Sequence, residues 1–267
     1  GLFTIDGLHR ALLPRLPQAI IEASSESWVL GPDAATALAA EPRALEQAVL
    51  RLYAEEYARA WQAMLADLVL PPFRNLPQAA EALNLLGAPN SPIRDILRAA
   101  ARQLSVGTPP DPPGGAAGAA AAGAVGQAAA AATQAAGATA SRLAAAVGAN
   151  LQPSSAAPVA QVVEERFRPL REAAGAPLDA TLQIVNDLFV QVQRLATAPP
   201  GTVLPPPAGG LDPGQRLAAE AARAPEPLSR WLQAMSQSTA SARAGGARAA
   251  IAAAGGQALG PFCRGLE

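Results

Sequence analysis

Residues 42–69, PRALEQAVLRLYAEEYARAWQAMLADLV, decide the fold of this chain. Leu45, Val49, Leu52, Tyr53, Tyr57, Trp61, Met64, Leu65 and Leu68 recur at steps of three and four. Arg51, Glu55, Arg59 and Gln62 take the positions between them. That spacing draws one apolar stripe along an α-helix, because residues three and four apart lie on the same face. A run of about seven or eight turns is expected, with Glu55 placed to pair with Arg59 at i,i+4. Pro71-Pro72 ends it. A helix this long serves as the spine of a bundle.

Working outward, the N-terminal segment from Gly7 to about Trp28 carries Leu8, Leu12, Leu16, Ile20 and Ala23 at a near-regular four-residue step. Pro14 and Pro17 lie inside it, so a kink or break is expected there. On the other side, Asn75 with Gln78 three residues later reads as a capping box, and Gly87 as the C-terminal stop of that helix. Ser91-Pro92 is a second helix start, with Ile93, Ile96, Leu97, Ala100 and Leu104 as its buried stripe. Beyond a long interruption, Val159–Leu170 forms a short helix with Val162, Val163 and Phe167 inward. Pro177 opens a longer one with Leu178, Leu182, Val185, Phe189, Val192 and Leu195 inward. Pro and Gly loosen residues 197–213, and two further helices follow at 217–223 and 227–239. Residues 240–260 are Ala-rich with glycine pairs at 245–246 and 255–256, so a helix there is only weakly determined. No segment alternates with period two, and the fold class is all-α: helical bundles in two blocks, residues 1–106 and 158–267.

The interruption, residues 107–157, is built of Ala, Gly and Pro. From Pro112 to Ser141 there is no charge at all, and that length qualifies for a membrane span. Composition rejects it: insertion is driven by Leu, Ile, Phe and Val, whereas this stretch offers Val125 among recurrent Gly, Gln and Thr. It reads as a flexible linker.

The reagents of catalysis are scarce. All 20 basic residues are Arg, His9 is the single histidine and Cys263 the single cysteine. Without Lys there is no P-loop and no Schiff base. One His and one Cys make neither a Cys/His zinc site nor, with His9 beside Arg10 on a helix, a convincing triad. The pairs Glu55-Glu56 and Glu164-Glu165 diverge by about 100° on a helix, so they read as solvated surface. A net charge of −1 makes no case for nucleic acid. No catalytic, cofactor or metal residue is expected. The candidate key residues are structural anchors: Phe3, Trp28, Tyr53, Tyr57, Trp61, Phe73, Phe167, Phe189, Trp231 and Phe262. They fall on or beside the apolar stripes, with an interaction groove as the other use of such aromatics.

Several strings, in order along the chain, resemble the TssM/IcmF family of bacterial type VI secretion. They are Leu2-Phe3-Thr4-Ile5-Asp6-Gly7, Trp28-Val29-Leu30-Gly31, Tyr57 and Trp61 with Leu68, Pro72 and Phe73, and Asn90-Ser91-Pro92-Ile93. Phe167, Pro169 and Leu170, then Pro177-Leu178, Pro227-Leu228 with Trp231-Leu232, and Pro261-Phe262-Cys263-Arg264 continue the series. The resemblance implies the helical part of a large periplasmic region in an inner-membrane-anchored protein, a structural component of the secretion membrane complex. It implies TssL and further copies of the chain as partners. The family's contact with the lipoprotein TssJ is expected in a β-rich domain beyond this segment, so TssJ binding is not expected here. The family's transmembrane helices and nucleotide-binding-like domain have no counterpart in these residues. A rival reading is a cytosolic Ala-rich all-α module that binds protein or lipid surfaces. Mixed charge and aromatic anchors on the helices speak against it, since a lipid-surface helix gathers cations on one polar face. An enzyme working with carboxylates alone is the remaining alternative.

Overall fold

The computed structural model describes residues 1–25, 42–110, 154–199 and 210–264. Every regular element among them is helical, as the patterning predicts. A π-helical segment, Gly7–Leu12, runs into α1, Leu13–Ser25. Then come α2 Pro42–Asp67, α3 Leu76–Gly87, α4 Pro92–Gln103, α5 Ala157–Arg166, α6 Arg168–Ala173, α7 Ala176–Thr197, α8 Pro213–Ala221 and α9 Leu228–Arg264. Trp28 and residues 111–153, the bulk of the expected linker, lie outside the described residues.

The N-terminal segment does not break at its prolines. Pro14 comes just after the π-helical segment and Pro17 lies inside α1, both within one continuous helical run. The turn before them is widened: the Leu13 amide bonds to the Leu8 carbonyl, five residues back. One extra residue in that turn moves the apolar phase. Leu8, Leu13, Leu16 and Ile20 are buried, and Leu12, expected inward, is only half-buried.

By contacts the chain divides into two compact units. The first holds Gly1–Gln62 and Arg102–Phe167, the second Ala63–Ala101 and Arg168–Glu267. This grouping differs from a division along the sequence, because α3 and most of α4 join the second unit.

In the first unit the core face of α2 is Leu50, Tyr53, Ala54, Tyr57 and Ala58. The stripe expected from the sequence is displaced: Leu52 is 68 % exposed and, further along, Met64 is 43 % exposed. Two alanines, Ala54 and Ala58, occupy the core instead. Glu55 bonds to Arg166 on α5 at 3.0 Å rather than to Arg59, which pairs with Glu56. Glu164 on the same helix accepts the Gly107 amide at 2.8 Å. Residues 107 and 164 thus meet, which ties together the chain on either side of residues 111–153.

The second unit is built on α7, whose Leu178, Leu182, Val185, Leu188 and Val192 are buried. Helix α3 packs along it and α8 lies against both α7 and α9. Asn75 caps α3 by accepting the Gln78 amide at 2.9 Å, and the Gln78 side chain accepts the Arg74 amide at 2.8 Å. Gly87 does not close α3 in a left-handed turn. A Cβ placed there would lie 3.0 Å from the Asn186 backbone nitrogen, so this glycine permits the close approach of α3 to α7. Ser91, fully buried, accepts the Ile93 amide and donates to the Leu86 carbonyl. Ile93, Leu97 and Ala100 of α4 are buried, but Ile96 is partly exposed. Helix α9 runs unbroken through both glycine pairs to Arg264, where the sequence left a helix weakly determined. At its start Leu228, Trp231, Leu232 and Met235 bury one face.

Candidate functional site

In each unit several polar side chains reach backbone carbonyls. In the first unit Phe3, Tyr53, Tyr57 and Trp61 form one aromatic cluster, with Phe3 and Tyr57 edge to face at 6.3 Å and Tyr57 stacked with Trp61 at 6.4 Å. Their arrangement follows from a four-residue step along α2, which stacks the three rings on one face. Each polar tip then reaches a carbonyl. Tyr53 donates to Leu2 at 2.7 Å, Trp61 to Phe3 at 3.0 Å and Tyr57 to Gln103 at 2.6 Å. Gln103 returns a contact, its side-chain oxygen accepting the Ile5 amide at 3.0 Å. The ring nitrogen Nε2 of His9 lies 2.8 Å from the Val106 carbonyl. Residues 1–9 are thereby fastened to α2 and to the end of α4. Burial pushes the Tyr53 phenol up to about 12. For Tyr57 burial, reinforced by Tyr53, pushes it further. Neither phenol is poised as a base at neutral pH.

The second unit repeats the device at the far end of α2. Arg230 donates to the carbonyls of Leu65 and Leu68, and Trp231 donates to Leu68 at 2.7 Å. These are the carbonyls a helix leaves without partners at its C-terminus, and a guanidinium there also meets the negative end of the helix dipole. Across the unit, Arg94 pairs with Asp179 at 2.6 Å and Arg216 with Asp187 at 3.0 Å. Asp212 caps α8 through the Gly214 amide and accepts from Gln191 and Arg243. Burial alone would raise its carboxyl, but these hydrogen bonds and the Arg243 charge hold it below the usual carboxylate range.

Of the anchors expected from the sequence, Tyr53, Tyr57, Phe73, Phe167 and Trp231 are buried. Phe3, Trp61 and Phe189 are half-buried. At Phe189 the inward position is taken by Leu188, fully buried one residue earlier. Phe262 and Cys263 lie in the last turn of α9, and Trp28 outside the described residues. Gln103 and Arg230 were not singled out from the sequence, and Glu164 reads there as solvated surface although it accepts the Gly107 amide, because a polar residue carries no mark of the distant carbonyl or amide it will meet. Among the described residues no group of His, Cys, Asp and Glu could hold a metal ion. Among the described residues, too, no helix is long and apolar enough to cross a membrane.

The comparisons with known proteins agree with one another. A family model described as IcmF-related, "Intracellular multiplication and human macrophage-killing", matches residues 1–105. Over 209 residues the chain is 32 % identical to the "Type VI secretion system component TssM1" of Pseudomonas aeruginosa. That alignment takes in 74 % of this chain and 18 % of the relative, so the chain spans under a fifth of its relative's length. No solved structure matches it.

Proposed function

The chain belongs to the TssM/IcmF family, and from that premise we propose that it is a structural part of a type VI secretion membrane complex. In this reading it is the helical periplasmic segment of an inner-membrane-anchored protein, packing against further copies of itself and against subunits such as TssL. It carries no catalysis of its own. The observation that supports the reading best is the relation to TssM1 over most of the chain. The use of its polar side chains is consistent with it. Tyr53, Tyr57, Trp61, Arg230 and Trp231 all donate to backbone carbonyls, which leaves them as fasteners rather than reagents. Such fasteners lock loop backbone and helix ends, and that is what a load-bearing element requires.

The test is topological. In the full-length protein freed of its native cysteines, Cys263 among them, Leu52→Cys installs a thiol at an exposed position of α2. In a bacterium producing the full-length protein, an impermeant maleimide applied after outer-membrane permeabilisation should label this cysteine. Labelling only after the inner membrane is broken would reject the periplasmic placement and favour the cytosolic module. Loss of secretion on in-frame deletion of residues 1–105, with the protein still made, is the expected companion result.

A further inference from the structure

Helix α9 buries one seam over its first half, and residues 247–256 bury nothing. Leu228, Trp231, Leu232, Met235, Thr239 and Ala242 are buried, at the three- and four-residue steps of a single face. Gly246 continues that seam by one turn and lies against Leu76 of α3, where a Cβ would come within 2.8 Å of the Leu76 Cδ1. Beyond it the seam falls on Ala249, Ala250 and Ala253, and none of these is buried. Ile251, the one large apolar side chain of the stretch, is 73 % exposed. A Cβ at Gly255 or Gly256 would meet nothing within 4 Å, so no close packing calls for these glycines. Each lowers the weight of the helix about fivefold against alanine. Burial of one face, which gives a protein helix most of its stability, is thus missing here and propensity alone remains. The helix before it supplies the nucleus, so alanine carries it onward, but by a small margin at each residue.

We propose that α9 is two mechanical elements joined at Gly245-Gly246: an anchored stem, residues 228–246, and a free arm, residues 247–256. The arm passes between helix and coil while the stem and the core of the second unit stay folded. Opening it exchanges backbone hydrogen bonds for water and uncovers no buried side chain, so it belongs to the least stable part of the fold. The joint therefore keeps a bend or a pull on the arm from reaching Trp231 and Met235 in the core. This assignment stands on the second unit alone and does not depend on the secretion reading.

Hydrogen exchange of the ¹⁵N-labelled chain is the first measurement. Amides of residues 249–256 should exchange within about fiftyfold of the rate of an unstructured chain. Those of Trp231, Leu232 and Met235 should be slowed more than about a thousandfold, because they open only when the unit unfolds. The second measurement compares two exposed alanines of the same helix, Ala240 in the stem and Ala252 in the arm. Ala240→Gly should lower the melting temperature, read from the Trp231 indole N–H signal, by about 2–4 °C. Ala252→Gly should leave it unchanged. Arm amides protected as strongly as those of the stem would overturn the proposal, and so would equal temperature shifts from the two variants.

Discussion

At the residue scale, a side chain's worth here depends on where its polar tip ends. Tyr57 is fully buried and its hydroxyl satisfies the Gln103 carbonyl. Tyr57→Phe leaves that carbonyl unpaired and should cost about 1–2 kcal/mol, whereas Leu52→Ala, on the exposed side of the same helix, should stay within about 0.5 kcal/mol. Urea unfolding of the two variants checks the face of α2 directly. Equal losses would restore the stripe drawn from spacing alone. The two phenols also set an alkaline limit. Folding raises their pKa, that of Tyr53 to about 12. Between about 10 and that value the unfolded chain therefore binds fewer protons than the folded one, and stability falls with rising pH. The stabilisation is complete below pH 10 and drains away above it. Tyr53→Phe should flatten this decline, as followed by helical ellipticity from pH 9 to 12. Asp212 works in the opposite sense. Its folded pKa is lowered, so its contribution is present above the ordinary carboxylate range and is lost as pH falls through the folded value. The destabilisation by Asp212→Asn at neutral pH should therefore vanish in acid. These partners were not legible beforehand, since nothing at Tyr57 or Asp212 names a residue tens of positions away.

At the scale of the element, starts were easier to read than ends and faces. Asn75 and Ser91 cap α3 and α4 as their spacing implies, because a cap is made within three residues. Gly87 kept its place at the end of α3 but changed its reason, from backbone conformation to the approach of Asn186. The glycines of α9 show the converse. A Cβ at Gly245 meets nothing within 4 Å, while one at Gly246 meets the Leu76 side chain at 2.8 Å. Gly245→Ala should accordingly stabilise the protein by up to about 1 kcal/mol through helix propensity, and Gly87→Ala should destabilise it by about 1–3 kcal/mol through overpacking against α7. Thermal unfolding of both single variants measures the contrast. A stabilising Gly87→Ala would mean that α3 and α7 do not approach as closely as described.

At the scale of the whole molecule, the two units do not follow the order of the chain. The segment patterned as an N-terminal block supplies α3 and most of α4 to the second unit. Helix α5, expected to open the second block, is held to the first unit through Glu164 with Gly107 and Arg166 with Glu55. Since Gly107 and Glu164 meet on either side of them, residues 111–153 should be replaceable by a Gly/Ser linker of about ten residues without loss of either unit. Loop closure then costs less, by about 0.6 kcal/mol for each halving of length. Unchanged helical ellipticity and a melting temperature no lower than that of the parent are expected. Collapse of the first unit would show that 111–153 is part of its core.

What the amino-acid order determined alone is local: helix as the type of every regular element among the described residues, the caps at Asn75 and Ser91, and the scarcity of catalytic side chains. Each rests on forces that act within a turn or two of backbone. The tertiary structure alone decided that Ala54 and Ala58 face inward while Leu52 does not. It also decided that Leu13 replaces Leu12, and that α3 serves α7 rather than its own block. Those choices minimise exposed apolar area and unpaired backbone groups over residues far apart in sequence, a balance that no single segment contains.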